Sequence, residues 1–153
     1  MQNTVYFIDL RAKYKDNLPS KLARLLDAAG LSEVVAQKDL VAVKLHFGEK
    51  GNTAFVRPVF VRKIVESIKA RGGAPFLTDA NTLYAGTRSD SPSHLVTAVQ
   101  NGFAFSVVDA PIIIADGLRG KSEVPVAIDQ KNFKTVYIGT DIVEADALVS
   151  VAH

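Results

Sequence analysis

Apolar residues recur along the chain at two spacings, one suited to strands and one to helices, and the boundaries between them fall at Gly, Pro and Asn. Thr4-Val5-Tyr6-Phe7-Ile8-Asp9 is a β-branched and aromatic run, which predicts a first strand. Asn17-Leu18-Pro19 predicts a helix start, because Asn can cap and Pro fits the first turn. Leu18, Leu22, Leu25, Leu26 and Ala29 follow at helical spacing, and Gly30 ends the run. Leu40 to Leu45 is apolar almost throughout, as in a strand covered on both faces. A polar, glycine-bearing loop then runs from His46 to Thr53. The next segment predicts a long helix to about Arg71, with Val56, Phe60 and Ile64 on one stripe and Val61, Val65 and Ile68 beside it.

Past Gly72-Gly73, Pro75-Phe76-Leu77-Thr78 predicts a short strand ending at Asp79, and the polar stretch to Asp90 is too long for a tight turn. Ser91-Pro92 predicts a helix that Asn101-Gly102 closes. Phe105 to Val108 and Ile112 to Ile114 read as short strands, and Val124 to Ile128 with Phe133 to Ile138 as a hairpin. Asp141 to Ala145 is one or two helical turns, and Ala147 to Val151 a final buried strand. Strands alternating with helices define an α/β fold: a mainly parallel, Rossmann-like sheet with helices on both faces, plus a small hairpin. The expectation is a single domain spanning residues 1–153.

Composition narrows the class. With 48% hydrophobic and 22% charged residues, the chain is neither disordered nor fibrous. Its apolar runs are far shorter than the roughly 20 residues of a membrane span, and Met1 to Thr4 lacks the basic start of a secretory signal. A soluble, cytoplasmic protein is the expectation, with no membrane partner. Zero cysteine excludes disulfides, thiolate metal sites and cysteine nucleophiles within the chain. Residues 1–76 hold thirteen Lys/Arg against seven Asp/Glu, whereas residues 77–153 hold five against nine. The basic excess lies mostly on helical segments without aromatic platforms, which argues against a nucleic-acid partner.

In parallel sheets ligands lie beyond the carboxyl ends of the strands, and three segments turn polar there at once. Lys44 and His46 are two apart and so share a strand face. An ammonium within an apolar run needs water or an anion, and Asp79 is an available carboxylate. Two readings stay open: a structural Lys44–Asp79 tie, or a catalytic group in which Lys44 carries charge and His46 transfers a proton or ligates a metal. Asp79 would then orient Lys44 or share the metal, with terminal His153 as a further ligand; a divalent metal is chemically reasonable, although no spacing is diagnostic.

The ligand-binding candidates are Gly48, Asn52, Arg57, Asn81, Thr82, Tyr84, Arg88 and Asp116. Gly48 and Gly51 let a loop backbone approach a ligand closely, and Arg57 lies near the helix start that the loop feeds. Asp79-Ala80-Asn81-Thr82 suits Asx turns equally well, while Tyr84 and Arg88 are long enough to reach into a cleft. Asp116-Gly117 also fits a simple turn, and His94, in the first turn of its helix, reads as a surface or capping residue. Ser–His–Asp order, HExxH and GxGxxG after the first strand are all missing. A small anionic metabolite held by Lys44 and Arg88 is the ligand these groups suit; the contrasting class is a structural domain that docks on another domain or self-associates.

Val43-Lys44-Leu45-His46-Phe47-Gly48-Glu49 with Gly51-Asn52-Thr53 and Arg57-Pro58 resembles the N-terminal half of the domain-of-unknown-function 362 family. The resemblance continues through Pro75 to Asp79, Asn81 to Tyr84, Arg88, His94-Leu95, Asn101 to Phe103, Ala110 to Leu118 and Glu144 to Leu148. Members of that family are often described as iron–sulfur centre proteins. The resemblance implies a longer protein with a cysteine-rich C-terminal part, so this chain reads as a truncated or half-length form. It also implies that an iron–sulfur cluster belongs only to the full-length relatives, with no cofactor of that kind held by these residues, and that the partner is a missing C-terminal domain or a second copy.

Overall fold

The computed structural model describes residues 4–153. In chain order the elements are α1 (Leu18–Ala28), α2 (Leu31–Val34), β1 (Leu40–Lys44), α3 (Pro58–Lys69), β2 (Ala74–Asp79) and α4 (Ser91–Ala98). A kinked turn (Val99–Phe103), broken by left-handed Gly102, leads into α5 (Phe105–Val108), followed by β3 (Ile112–Ile114), β4 (Glu123–Ala127), β5 (Thr135–Gly139), α6 (Thr140–Val143) and β6 (Ala147–Ser150). β3, β2, β1 and β6 form one sheet in that order, all parallel, while β4 and β5 pair as an antiparallel hairpin.

The register explains the core. Val41 and Val43 on β1, Leu77 on β2 and Ile114 on β3 join one buried cluster with Val61, Ile64, Val65 and Ile68 of α3. Pro58 opens α3 at its first position, where a missing N–H costs nothing, so the helix starts later than the loop composition suggests. Asn17 caps α1 by accepting from Ser20 N, and Asp90 caps α4 by accepting from Ser93 N. On the opposite sheet face Leu40 is 54% and Leu148 48% exposed, and short α6 is the helix beside it.

Three expectations are corrected. Thr4 to Asp9 is not a strand: it pairs with no neighbour, and Val5 and Phe7 lie 88% and 85% exposed. β-propensity alone does not make a strand without a ladder of backbone partners, and this segment, which adds to neither sheet edge, is tied instead by Asp9 to Arg11 and the buried Lys21. Phe105 to Val108 forms α5 rather than a strand, since only Val108 of the four is buried and period-two burial never develops. Ala147 to Ser150 is a strand but not a buried one: it is an edge, paired with β1 alone, and only Ala147 is buried.

Candidate functional site

From the carboxyl end of β1 onward, outward and buried positions alternate. Leu45 and Phe47 are fully buried, so Lys44 and His46 are turned outward. Leu45 N donates to Thr78 O and Val151 N to Lys44 O, which prolongs the ladder and aligns this end with those of β2 and β6. Lys44 Nζ stands 3.3 Å from Asp79 Oδ1, with the lysine side chain 29% exposed and the aspartate 5%. The same Oδ1 accepts from Ala80 N at 3.0 Å. Asp79 Oδ2 faces inward, 3.2 Å from Arg88 Nη1.

Arg88 is the hub. Its Nε donates to Glu49 Oε1 at 2.9 Å, its Nη2 to Tyr84 Oη at 3.0 Å, and its Nη1 lies 3.5 Å from His46 Nδ1. Tyr84 Oη donates to Glu49 Oε1 at 2.7 Å and Thr87 Oγ1 to Glu49 Oε2 at 3.2 Å. Hydrogen bonds from Tyr84 first, then Arg88, hold the Glu49 carboxyl below its ordinary 4.5. Burial alone would lower the Arg88 pKa, but the Glu49 carboxylate outweighs it and raises the value. Lys44 and Arg88 against Asp79 and Glu49 make a charge-balanced cluster. Arg88, expected to hold an anion directly, directs its donors to protein groups, and the solvent-facing side of Lys44 and the exposed His46 imidazole remain.

A second knot ties the ends of β2 and β3 to the start of α4. Asn81 N and Nδ2 donate to the two oxygens of Asp116 at 2.9 and 2.8 Å, and Asn81 Nδ2 and Ser91 Oγ both donate to Gly117 O. Thr82 Oγ1 donates to Tyr84 O, and Thr82 N to Arg88 O, which shapes the loop that carries Arg88 inward. Asn52 folds on itself, accepting from Ala54 N at 2.7 Å. Gly48, at φ +81°, has packing as its reason: a Cβ there would lie 2.5 Å from Phe55 Cδ1. Arg57 is an exposed residue preceding α3, and His153 is exposed beyond β6.

His94 is the clearest departure from expectation. Its side chain is fully buried, edge-on to Phe47 with ring centroids 5.6 Å apart, and its Nε2 lies 3.7 Å from Asp79 Oδ2. Its place in the first turn of its helix suggests a surface or capping role, but α4 docks that face onto the loop after β1. Burial, the largest influence, pushes its pKa below the ordinary 6.5 against the opposing pull of Asp79. Glu49, unnamed among the sequence candidates, belongs with Arg88; the signal was a carboxylate beside a conformationally special glycine in the same polar loop.

Asp79 thus lies between Lys44 and the Arg88 guanidinium, which also approaches His46, and the pronounced hollows lie elsewhere. One of about 600 Å³ is lined by Leu40, Phe76, Ile113 and Glu144, and one of about 450 Å³ by Lys50, Thr87, Ser93 and Thr97. Among the described residues no three His, Asp or Glu side chains are grouped to hold a metal ion. With no cysteine, the donor set does not fit an iron–sulfur cluster. No helix among the described residues is long and apolar enough to cross a membrane.

Fold and site together define an α/β protein with a polar, charge-balanced cluster at the carboxyl edge of a parallel sheet. The chain belongs to the family described as Domain of unknown function (DUF362), whose model matches residues 41–153. That span includes the described strands, apart from Leu40 at the start of β1, and the whole cluster, and leaves out α1 and α2. No curated protein and no solved structure matches the chain.

Proposed function

We propose that the carboxyl edge around Lys44 and His46 binds a small anionic ligand. The supporting observation is that Lys44, 29% exposed, is held by one carboxylate oxygen and keeps donors free beside an exposed imidazole. Sheet order adds to this. The chain builds β1, β2 and β3 outward on one side and then returns to place β6 on the other side of β1. Lys44 thus stands at the switch point, where open parallel sheets take their ligands. Arg88, Glu49 and Tyr84 serve as the scaffold that fixes Asp79, and Asp79 fixes Lys44. The chain has no thiolates with which to hold an iron–sulfur cluster of its own.

The test is a titration of the full chain with inorganic phosphate, followed by amide and imidazole chemical shifts. Saturable shifts at Lys44 and His46, weakened in Lys44→Ala and in His46→Ala, are the expected result. A response spread over surface lysines, or one unchanged in both variants, rejects the reading.

A second reading, a non-enzymatic docking domain, draws on the hollow of about 600 Å³ at the half-covered sheet face. Parallel sheets are ordinarily covered on both faces. A concentration-independent monomer in sedimentation, without binding of an apolar dye, would argue against it.

A further inference from the structure

Both ring nitrogens of His94 lack a hydrogen-bond partner, although the side chain is fully buried. A buried polar group without a partner is costly and needs an explanation. The charged groups that bear on the ring are Asp79 from the end of β2, Arg88 from the loop before α4, Asp116 after β3 and Glu49 from the β1 loop. Of these, Asp79 has an oxygen 3.7 Å from Nε2, short of hydrogen-bond contact by less than about 1 Å.

The two oxygens of Asp79 do different work. Oδ1 looks outward, to Lys44 at 3.3 Å and Ala80 N at 3.0 Å. Oδ2 looks inward, to Arg88 at 3.2 Å and His94 at 3.7 Å. An anion that engages Lys44 weakens the outer contact, and the carboxylate then needs a replacement donor or it will hold the ammonium back.

We propose that His94 is a positioning residue for the Lys44 site, its Nε2–H closing onto the inner oxygen of Asp79 when an incoming anion draws the Lys44 ammonium outward. The inference rests on the anion-binding reading of Lys44 and deepens it. Neutral imidazole with the proton on Nε2 is the form that can donate, and burial favours the neutral ring. The edge-on contact with Phe47 fixes the ring plane, so the carboxylate, by a small rotation, makes the adjustment. The histidine acts through Asp79 and touches no ligand.

The experiment uses the full chain labelled with ¹⁵N and titrated with inorganic phosphate, reading both affinity and the His94 ring nitrogens. The expected result is a shift of Nε2 toward a hydrogen-bonded donor, saturating with the same midpoint as the Lys44 signal. His94→Phe, which keeps an aromatic ring against Phe47 but no donor, should bind phosphate roughly tenfold more weakly. His94→Gln, which keeps an amide donor, should stay within about threefold of the wild type. Phosphate binding that is equal in wild type and His94→Phe, or a His94 ring indifferent to phosphate while Lys44 responds, overturns the inference and leaves the site reading standing. No response at Lys44 or His46 overturns both. Should His94→Phe fail to fold, the wild-type ring signal decides alone.

Discussion

Arg88 Nη1 stands 3.2 Å from Asp79 Oδ2, with the two side chains only 6% and 5% exposed. A guanidinium so far out of water stays folded in only if its donors are used, and here Glu49, Tyr84 and Asp79 use them. The pair joins the loop before α4 to the end of β2, so the cluster that presents Lys44 is also a tie between elements.

Removing one partner of a buried ion pair leaves the other charge uncompensated, which costs more than the pair is worth when intact. Arg88→Met keeps much of the apolar stem but strands Asp79 and Glu49. It should lower unfolding stability by about 3–5 kcal/mol in urea denaturation. Arg62→Met, which removes an exposed pair with Glu66, should cost about 1 kcal/mol or less. Equal effects for the two would mean that the Arg88 cluster is solvated in solution.

Glu49 makes a pH prediction whose sign follows from its bonds. Its folded pKa is depressed by Tyr84 and Arg88, so in the acid range the unfolded chain binds the proton first. The stabilisation is present above the ordinary value of 4.5 and is lost as pH falls through the folded pKa. Thermal unfolding followed from about pH 6 down to about pH 3 should show a steeper acid loss for wild type than for Glu49→Gln. Parallel profiles would show that Glu49 titrates normally when folded.

How much of this could be read from the residues alone depends on whether burial was local or long-range. The almost wholly apolar run of β1 points to a strand covered on both faces of a parallel sheet, and the polar residues just past it mark the edge where Lys44 and Asp79 meet. Thr4 to Asp9 has the composition of a strand, yet pairing needs a partner edge, which composition does not encode. His94 looked like a first-turn surface residue because its burial comes from Phe47, a contact between segments far apart in sequence. The role of Glu49 is hidden for the same reason: its partners Tyr84, Thr87 and Arg88 arrive from another loop.

His94 predicts a second pH dependence, of stability rather than of ligand binding. Burial depresses its folded pKa below the ordinary 6.5, so the unfolded chain takes up a proton that the folded chain refuses. Stability should therefore fall as pH drops below about 6.5, and level off only beneath the folded pKa. His94→Phe should flatten that limb of the profile between about pH 7 and pH 5 while leaving the Glu49 limb at lower pH in place. A wild-type profile already flat through this range would show that the ring is solvated or ion-paired with Asp79.

Two glycines in one loop separate packing from mere backbone freedom. Gly48 and Gly51 have nearly the same backbone angle, φ +81° and +84°, so alanine at either position carries the left-handed penalty of about 1–2 kcal/mol. At Gly51 the added methyl meets nothing within 4 Å, whereas at Gly48 it lies 2.5 Å from Phe55 Cδ1. Phe55 in turn packs on Phe103, with ring centroids 5.8 Å apart, so the ring cannot yield without disturbing the core around Phe47. Gly48→Ala should thus cost roughly 1–3 kcal/mol more than Gly51→Ala in denaturant unfolding. If instead the loop glycines serve only close approach of a ligand, both variants would unfold alike and differ in phosphate binding.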